Sequence, residues 1–168
     1  MARKHPYQLL CPIARSLDVL GDRWTLLILR DLHAAPARFG ELERGLGLAP
    51  NLLAQRMNEL VDADLVERVE VDGHAAYALT EIGRRTDLVL WELSRFGAVL
   101  PPDDDPRPPG NLRTVVLPLR LLLERVDRRP TLSVRLHIDD EVVTVRSDQS
   151  GVTVGYGDGS DQTDLVLA

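Results

Sequence analysis

The sequence predicts a mainly α domain closed by a β-hairpin over residues 1–100, followed by a small α+β domain with an antiparallel sheet over residues 111–168. Three observations carry this. The first half holds successive segments with apolar residues at helical spacing, two of them joined by a short glycine-rich turn. A Val- and Tyr-containing stretch split by Asp72-Gly73 follows directly, and this dipeptide favours the positive φ of a tight hairpin. At PPDDDPRPPG, residues 101–110, five prolines and three consecutive aspartates form a linker without an apolar anchor, and strand-like alternation begins beyond it.

Residues 1–10 are polar and carry Arg3, Lys4 and His5; a frayed terminus and a basic arm are both open readings. A first helix starts near Cys11-Pro12, where proline's missing N–H costs little, and buries Ile13, Leu17 and Leu20 before Gly21 ends it. Asp22 caps a second, Arg23 to Leu32, apolar nearly all round through Trp24, Leu27 and Ile28, as expected of the central helix. Pro36 breaks the chain. The third, Arg38 to Gly45, buries Phe39, Leu42 and Leu46. Gly45 and Gly47 make the turn, and Pro50 opens the fourth helix, which runs to Asp62. Leu65–Val71 and His74–Leu79 are the hairpin strands, and Thr80 caps a last helix running through Leu88, Trp91, Leu93 and Phe96 towards Leu100. Two helices at a short turn followed by a hairpin make a winged helix-turn-helix. The last helix carries more apolar surface than a three-helix core can cover. Trp91 with Leu88, Val89 and Phe96, and Leu17 on the first helix, therefore have two readings, core packing or the seam of a homodimer.

Past the linker, Leu112–Val126 reads as a helix broken or kinked at Pro118. Leu132, Val134, Leu136 and Ile138 then alternate with polar residues, and Glu141–Arg146, Val152–Tyr156 and Asp164–Ala168 complete an antiparallel meander. The chain stops within what reads as an ordered strand, so this unit is expected to be shortened or incomplete.

The formal charge of −6 divides as twelve cationic and fourteen acidic residues in 1–100 and eight and twelve in 101–168. Any nucleic-acid surface is then a local patch, not a basic coat. One cysteine excludes an internal disulfide framework, and no apolar run is long enough to cross a bilayer. A cytoplasmic location is expected.

Projected at about 100° per residue, the fourth helix puts Leu53, Met57 and Leu60 on one side and Asn51, Gln55, Asn58 and Asp62 on the other. Asn and Gln both donate to and accept from a base edge, as a helix in a DNA major groove requires. Asn51, Gln55 and Asn58 are the direct-readout candidates, and Leu52 is counted with them. Arg38, Arg44, Arg84 and Arg85, with His74 at the hairpin tip, are the phosphate candidates. Arg56 lies at the core edge and is assigned to an intramolecular carboxylate, Glu41 or Glu59. The aspartates of the linker are read as solvated, not as metal ligands. His5, His33, His74 and His137 are scattered, and no HExxH, CxxC, GxSxG or phosphate-loop pattern is present, so neither catalysis nor a metal or cofactor is expected. Gly155-Tyr156-Gly157-Asp158-Gly159 lies between strands and reads as a hairpin turn.

CPIARSLDVLGDRWTLLILRDL (11–32), ARFGELERGLGLAPNLLAQRMNELVDADLVERV (37–69) and YALTEIGRR (77–85) resemble the HxlR family of bacterial winged-helix regulators over nearly all of residues 9–97. The resemblance rests on Cys11-Pro12, Gly21, Trp24, Arg38-Phe39 with Glu41-Leu42, Leu53 with Arg56-Met57 and Leu60, and Tyr77 with Leu79-Thr80. It implies a homodimer, joined through the first and last helices of the domain, that places one recognition helix per subunit in successive major grooves of a near-palindromic operator; the expected role is repression. The wing here is shorter than the family's, and Ala49 stands where Ser or Thr is common. The resemblance also implies two readings of Cys11, a thiol sensor at a helix N-terminus or an inert residue at the dimer seam. The stretch from Val134 to Ala168 resembles, more faintly, the strand region of a sterol-carrier-type domain, which implies a cavity for a small apolar effector or a module supporting the dimer. A winged helix used only for protein contacts, or an apolar-ligand module without operator specificity, is the alternative function.

Overall fold

The computed structural model of the chain describes residues 7–101, 111–127, 131–157 and 164–166, and for the last three the backbone alone. The basic arm at residues 3–5 and residues 102–110 of the expected linker lie outside the described residues.

Helices α1 (Pro12–Leu20), α2 (Thr25–Ala34), α3 (Phe39–Leu46) and α4 (Pro50–Asp62) are followed by strands β1 (Val66–Val71) and β2 (His74–Leu79). Helix α2 starts two residues later than its apolar pattern predicts. Asp22 is not its cap: the N-cap is Trp24, and the Asp22 carboxylate accepts the Trp24 N–H at 2.9 Å and holds residues 22–24 in a turn before the helix begins. Ile28 and Leu29 of α2 are fully buried, so α2 is the central helix. The hairpin pairs Val66 with Leu79 through Val71 with His74, and Asp72 and Gly73 both take positive φ, 52° and 72°, as a two-residue turn of this hand demands. Ala37 bridges to Tyr77, tying the start of the helix-turn-helix to the hairpin.

The last helix of this half is not continuous. It divides into α5 (Glu81–Arg84) and α6 (Asp87–Ala98). Thr80 caps α5 through Gly83 N–H at 3.0 Å, and Gly83 packs so closely on β1 that a Cβ there would lie 2.0 Å from the Leu65 carbonyl oxygen. The Thr86 hydroxyl donates back to Gly83 O at 2.7 Å and fixes the bend.

Helix α7 (Arg113–Leu123) runs through Pro118, so of the break or kink expected there the break is absent. Leu117 and Leu121 of α7 join the core of α2, α4 and α6, while Val116 joins Val143, Val145 and Val154 of the sheet. One helix thus serves both hydrophobic cores. Strands β3 (Leu132–Ile138), β4 (Glu141–Asp148), β5 (Gly151–Tyr156) and β6 (Asp164–Val166) form a sheet in the order β5-β4-β3-β6. The first three are the expected antiparallel meander. The fourth departs from it: β6 crosses to the far edge and pairs in parallel with β3, Leu136 opposite Leu165.

Buried Arg113 joins the two parts. Its guanidinium donates to the carbonyls of Ala35 at 2.8 Å, Asp31 at 3.2 Å and Pro36 at 3.4 Å, satisfying carbonyls where α2 ends. It also lies 3.7 Å from Glu41 of α3 and stacks 4.3 Å above the Tyr156 ring of β5. The Tyr156 hydroxyl donates to Glu141 at 2.8 Å, and Glu141 accepts the Leu112 N–H at the start of α7. Burial and then this bond to a carboxylate push the Tyr156 phenol up from its ordinary pKa.

Candidate nucleic-acid interface

Helices α3 and α4 are set by their connection. Glu41 accepts the N–H of Arg38 at 2.7 Å and closes the start of α3. Gly47 turns the chain at φ 62°, a left-handed conformation suited to glycine, buried Leu48 anchors the turn, and Pro50 begins α4. No side chain caps α4 at Ala49; the Leu52 and Leu53 N–H groups donate to Ala49 O at 3.0 Å, and that of Leu52 also to Asn51 Oδ1 at 2.9 Å.

Leu53, Met57 and Leu60 are buried to 0%, 1% and 2% exposure, which fixes the rotation of α4. That rotation leaves Asn51 and Asn58 exposed and Gln55 and Leu52 half-buried. Gln55 donates to Glu59 at 2.9 Å, and Asn58 Oδ1 accepts from Arg68 at 3.2 Å. Both amides are thus held in place by neighbours. Arg68, on β1, was not singled out by sequence. Its signal was present, since it alternates outward beside Val69 in a strand that begins four residues after α4 ends.

Arg56 pairs with Glu59, as one of its two expected partners, and with Asp22 at 2.8 Å, binding α4 to the segment before α2; Glu41 serves Arg38 and Arg113 instead. Arg38 and Arg44 are exposed on α3 and its cap, with Arg44 Nε donating to Gly40 O at 3.1 Å. His74 sits at the wing tip, its Nδ1 donating to Asp72 O at 2.7 Å. Arg85 is exposed and has no ion-pair partner among the described residues, whereas Arg84 donates to Leu79 O at 2.8 Å and to Glu81 at 3.3 Å. Arg84 also lines a cavity of about 360 Å³ with His33, Asp87 and Arg120, so the two neighbouring arginines have different surroundings.

In that cavity His33 Nε2 lies 3.0 Å from Thr86 Oγ1. The hydroxyl proton is already given to Gly83 O, so Nε2 carries the donated hydrogen. Burial, reinforced by the Arg120 guanidinium, pushes the His33 pKa down to about 4. A histidine whose folded pKa lies below its unfolded value of 6.5 favours the folded state when neutral. Its contribution is fully present above pH 6.5 and is lost as pH falls towards 4. Urea unfolding at pH 7.5 and pH 5 is expected to show this loss in the native chain and a smaller one in His33→Gln.

Leu17, Leu88 and Phe96 are 43%, 59% and 62% exposed, forming apolar surface on α1 and α6 that the described residues leave uncovered. Trp91 differs from them: it packs on the core and lies under the guanidinium of Arg125, just past the end of α7, at 4.6 Å, which fits the core-packing reading of this residue. Cys11 is half-buried at the N-cap of α1.

The profile of the HxlR-like helix-turn-helix family matches residues 19–103. The HTH-type transcriptional regulator Mb3122 of Mycobacterium bovis, itself uncharacterized, is 38% identical over 88 residues, 51% of this chain and 56% of that protein, so the chain spans about half the length of this curated relative. Among solved structures, PA1607, described as a candidate transcription factor, matches 60% of this chain and 73% of its own at 38% identity and a TM-score of 0.53. The oxidized form of the redox regulator HypR matches 55% of this chain and all of its own at 26% identity and a TM-score of 0.50. The family profile ends at residue 103, and the sterol-carrier-type resemblance of the tail has no support in these matches.

Proposed function

The chain belongs to the HxlR-like helix-turn-helix family, and from that premise we propose that it is a DNA-binding transcriptional regulator, a repressor that occupies a near-palindromic operator as a homodimer. The observation that carries this reading is the two-sided α4, whose buried Leu53, Met57 and Leu60 hold Asn51, Gln55 and Asn58 outward beside the wing. Pairing two such helices at one operator needs a second chain, and the uncovered Leu17, Leu88 and Phe96 supply apolar surface for it. We assign Arg38, Arg44, Arg85 and His74 to phosphate contacts, and the Asn51 N–H at the uncapped start of α4 suits a phosphate oxygen.

Fluorescence anisotropy against the chain's own upstream region and a scrambled duplex, at two salt concentrations, tests the reading. Gln55→Ala with Asn58→Ala is expected to remove about 1–3 kcal/mol of discrimination per lost base contact while leaving binding to scrambled DNA unchanged. Arg85→Ala with Arg38→Ala is expected to weaken binding to both duplexes alike and to flatten the salt dependence by about one in slope per lost phosphate contact. Identical profiles for the two pairs would end this division of labour. Equal, weak binding of the native chain to both duplexes would favour a module for protein contacts or an apolar ligand.

A second reading concerns regulation. HypR is a redox regulator, and in this chain the thiol of Cys11 lies half-buried at the start of α1, next to the apolar surface assigned to the dimer. Oxidant that releases the native chain from DNA and leaves Cys11→Ser bound would assign the switch to this thiol.

A further inference from the structure

A cavity of about 430 Å³ lies between α2, α6 and α7, a size that holds a small organic ligand. Its wall is mostly apolar, with Leu26 and Leu27 from α2, Leu90 from α6, and Leu117 and Pro118 from α7. Arg23 and Arg30 also line it, and no carboxylate does. Arg30 is engaged by Asp31 at 2.8 Å. Arg23 is exposed, rests 4.9 Å from the Trp24 ring, and among the described residues has no ion-pair partner. Trp91 contributes to the same wall, and its indole N–H is buried without an acceptor among the described residues.

We propose that this cavity is a binding site for a small amphipathic organic anion, its carboxylate held by Arg23 and its aromatic or aliphatic body against the leucines and Trp91. A cation is repelled by the unpaired guanidinium of Arg23, and a purely apolar molecule leaves that charge unused. The walls come from both parts of the chain. The α7 that closes the cavity with Thr114, Leu117 and Pro118 also carries Arg113, whose guanidinium reaches the end of α2 and Glu41 of α3. A bound anion therefore acts on the packing of α7 against the helices that position α4. This effect on DNA rests on the regulator reading; binding in the cavity does not.

Isothermal titration of the full chain with 2-naphthoate, decanoate and the neutral 2-naphthamide tests the site without DNA. One acid per chain is expected, with naphthoate bound at least about tenfold more tightly than the amide, the difference a charge-assisted contact makes. Arg23→Gln is expected to abolish that preference while leaving amide binding in place. Ser94→Trp at the cavity wall, and Leu27→Trp as a second way of filling it, are expected to remove binding of all three, with circular dichroism reporting the fold. The proposal is overturned if neither acid binds at millimolar concentration, if acid and amide bind equally, or if filling leaves binding unchanged. It is also overturned if Ser94→Trp abolishes self-association in sedimentation, which makes the groove a face between copies. Anisotropy then separates the two readings: saturating naphthoate that binds but leaves operator affinity unaltered removes the link to DNA and leaves the site standing, and a chain with no sequence preference at any ligand concentration removes the regulator reading alone.

Discussion

Replacing Arg113 with methionine is expected to lower the free energy of unfolding by about 2–4 kcal/mol, because charged hydrogen bonds are lost and the buried carbonyl of Asp31 is left without this donor. Methionine keeps much of the stem's volume, so the loss reports the guanidinium and not a cavity. Three carbonyls, those of Asp31, Ala35 and Pro36, depend on this one fork at the end of α2. With 5% exposure there is little access for water to replace it. The same change takes away the cation above Tyr156 and the contact with Glu41, so α7, the sheet and α3 loosen together. Arg113→Lys is expected to recover only part of the loss, since one ammonium cannot reproduce a planar fork and its stacking. Urea unfolding of the three proteins, with unchanged m-values, is the measurement; a loss under about 0.5 kcal/mol, the range of ordinary surface substitutions, would mean that the carbonyls find other donors.

Arg113 also marks where sequence reading stopped. Its neighbours in the fold lie some eighty residues away in the chain, and nothing local in Arg113-Thr114-Val115 distinguishes it from a surface arginine. The helix-turn-helix was legible because its signals are local: Gly47 for the left-handed turn, Pro50 for a helix start, Asp72-Gly73 for the wing. The rotation of α4 was equally legible, since Leu53, Met57 and Leu60 recur at helical spacing and all proved buried. The bend between α5 and α6 was not, because it depends on how closely Gly83 approaches the Leu65 carbonyl across the structure. Of the two readings of Pro118, a kink or a break, the break does not occur, for a related reason. A proline removes one helical hydrogen bond, but packing of Val116, Leu117 and Leu121 on two cores keeps the helix continuous through it. The apolar surface of the last helix proved divided: Leu90 and Trp91 pack on the core that α7 joins, while Leu88 and Phe96 remain outside it.

The other large effect is expected at Leu53. It is fully buried among α2, α4 and the hairpin, and it lies on the face of α4 opposite Asn51 and Asn58. Leu53→Ala is expected to cost about 2–5 kcal/mol, the transfer energy of the lost atoms together with the cavity they leave. A domain of this size has about 5–15 kcal/mol of stability in all, so the variant stands close to unfolding at growth temperature. Asn58→Ala supplies the contrast. It removes an exposed amide and one bond from Arg68, with an expected change of no more than about 1 kcal/mol in stability. The two substitutions are five residues apart on one helix, yet their effects on DNA should separate by temperature. Leu53→Ala should bind DNA normally when cold and lose both duplexes together on warming, in step with its unfolding. Asn58→Ala should discriminate poorly at every temperature. If Leu53→Ala instead relaxes sequence preference while fully folded, α4 rotates without melting, and the buried leucine sets the register of the helix against DNA as well as its stability.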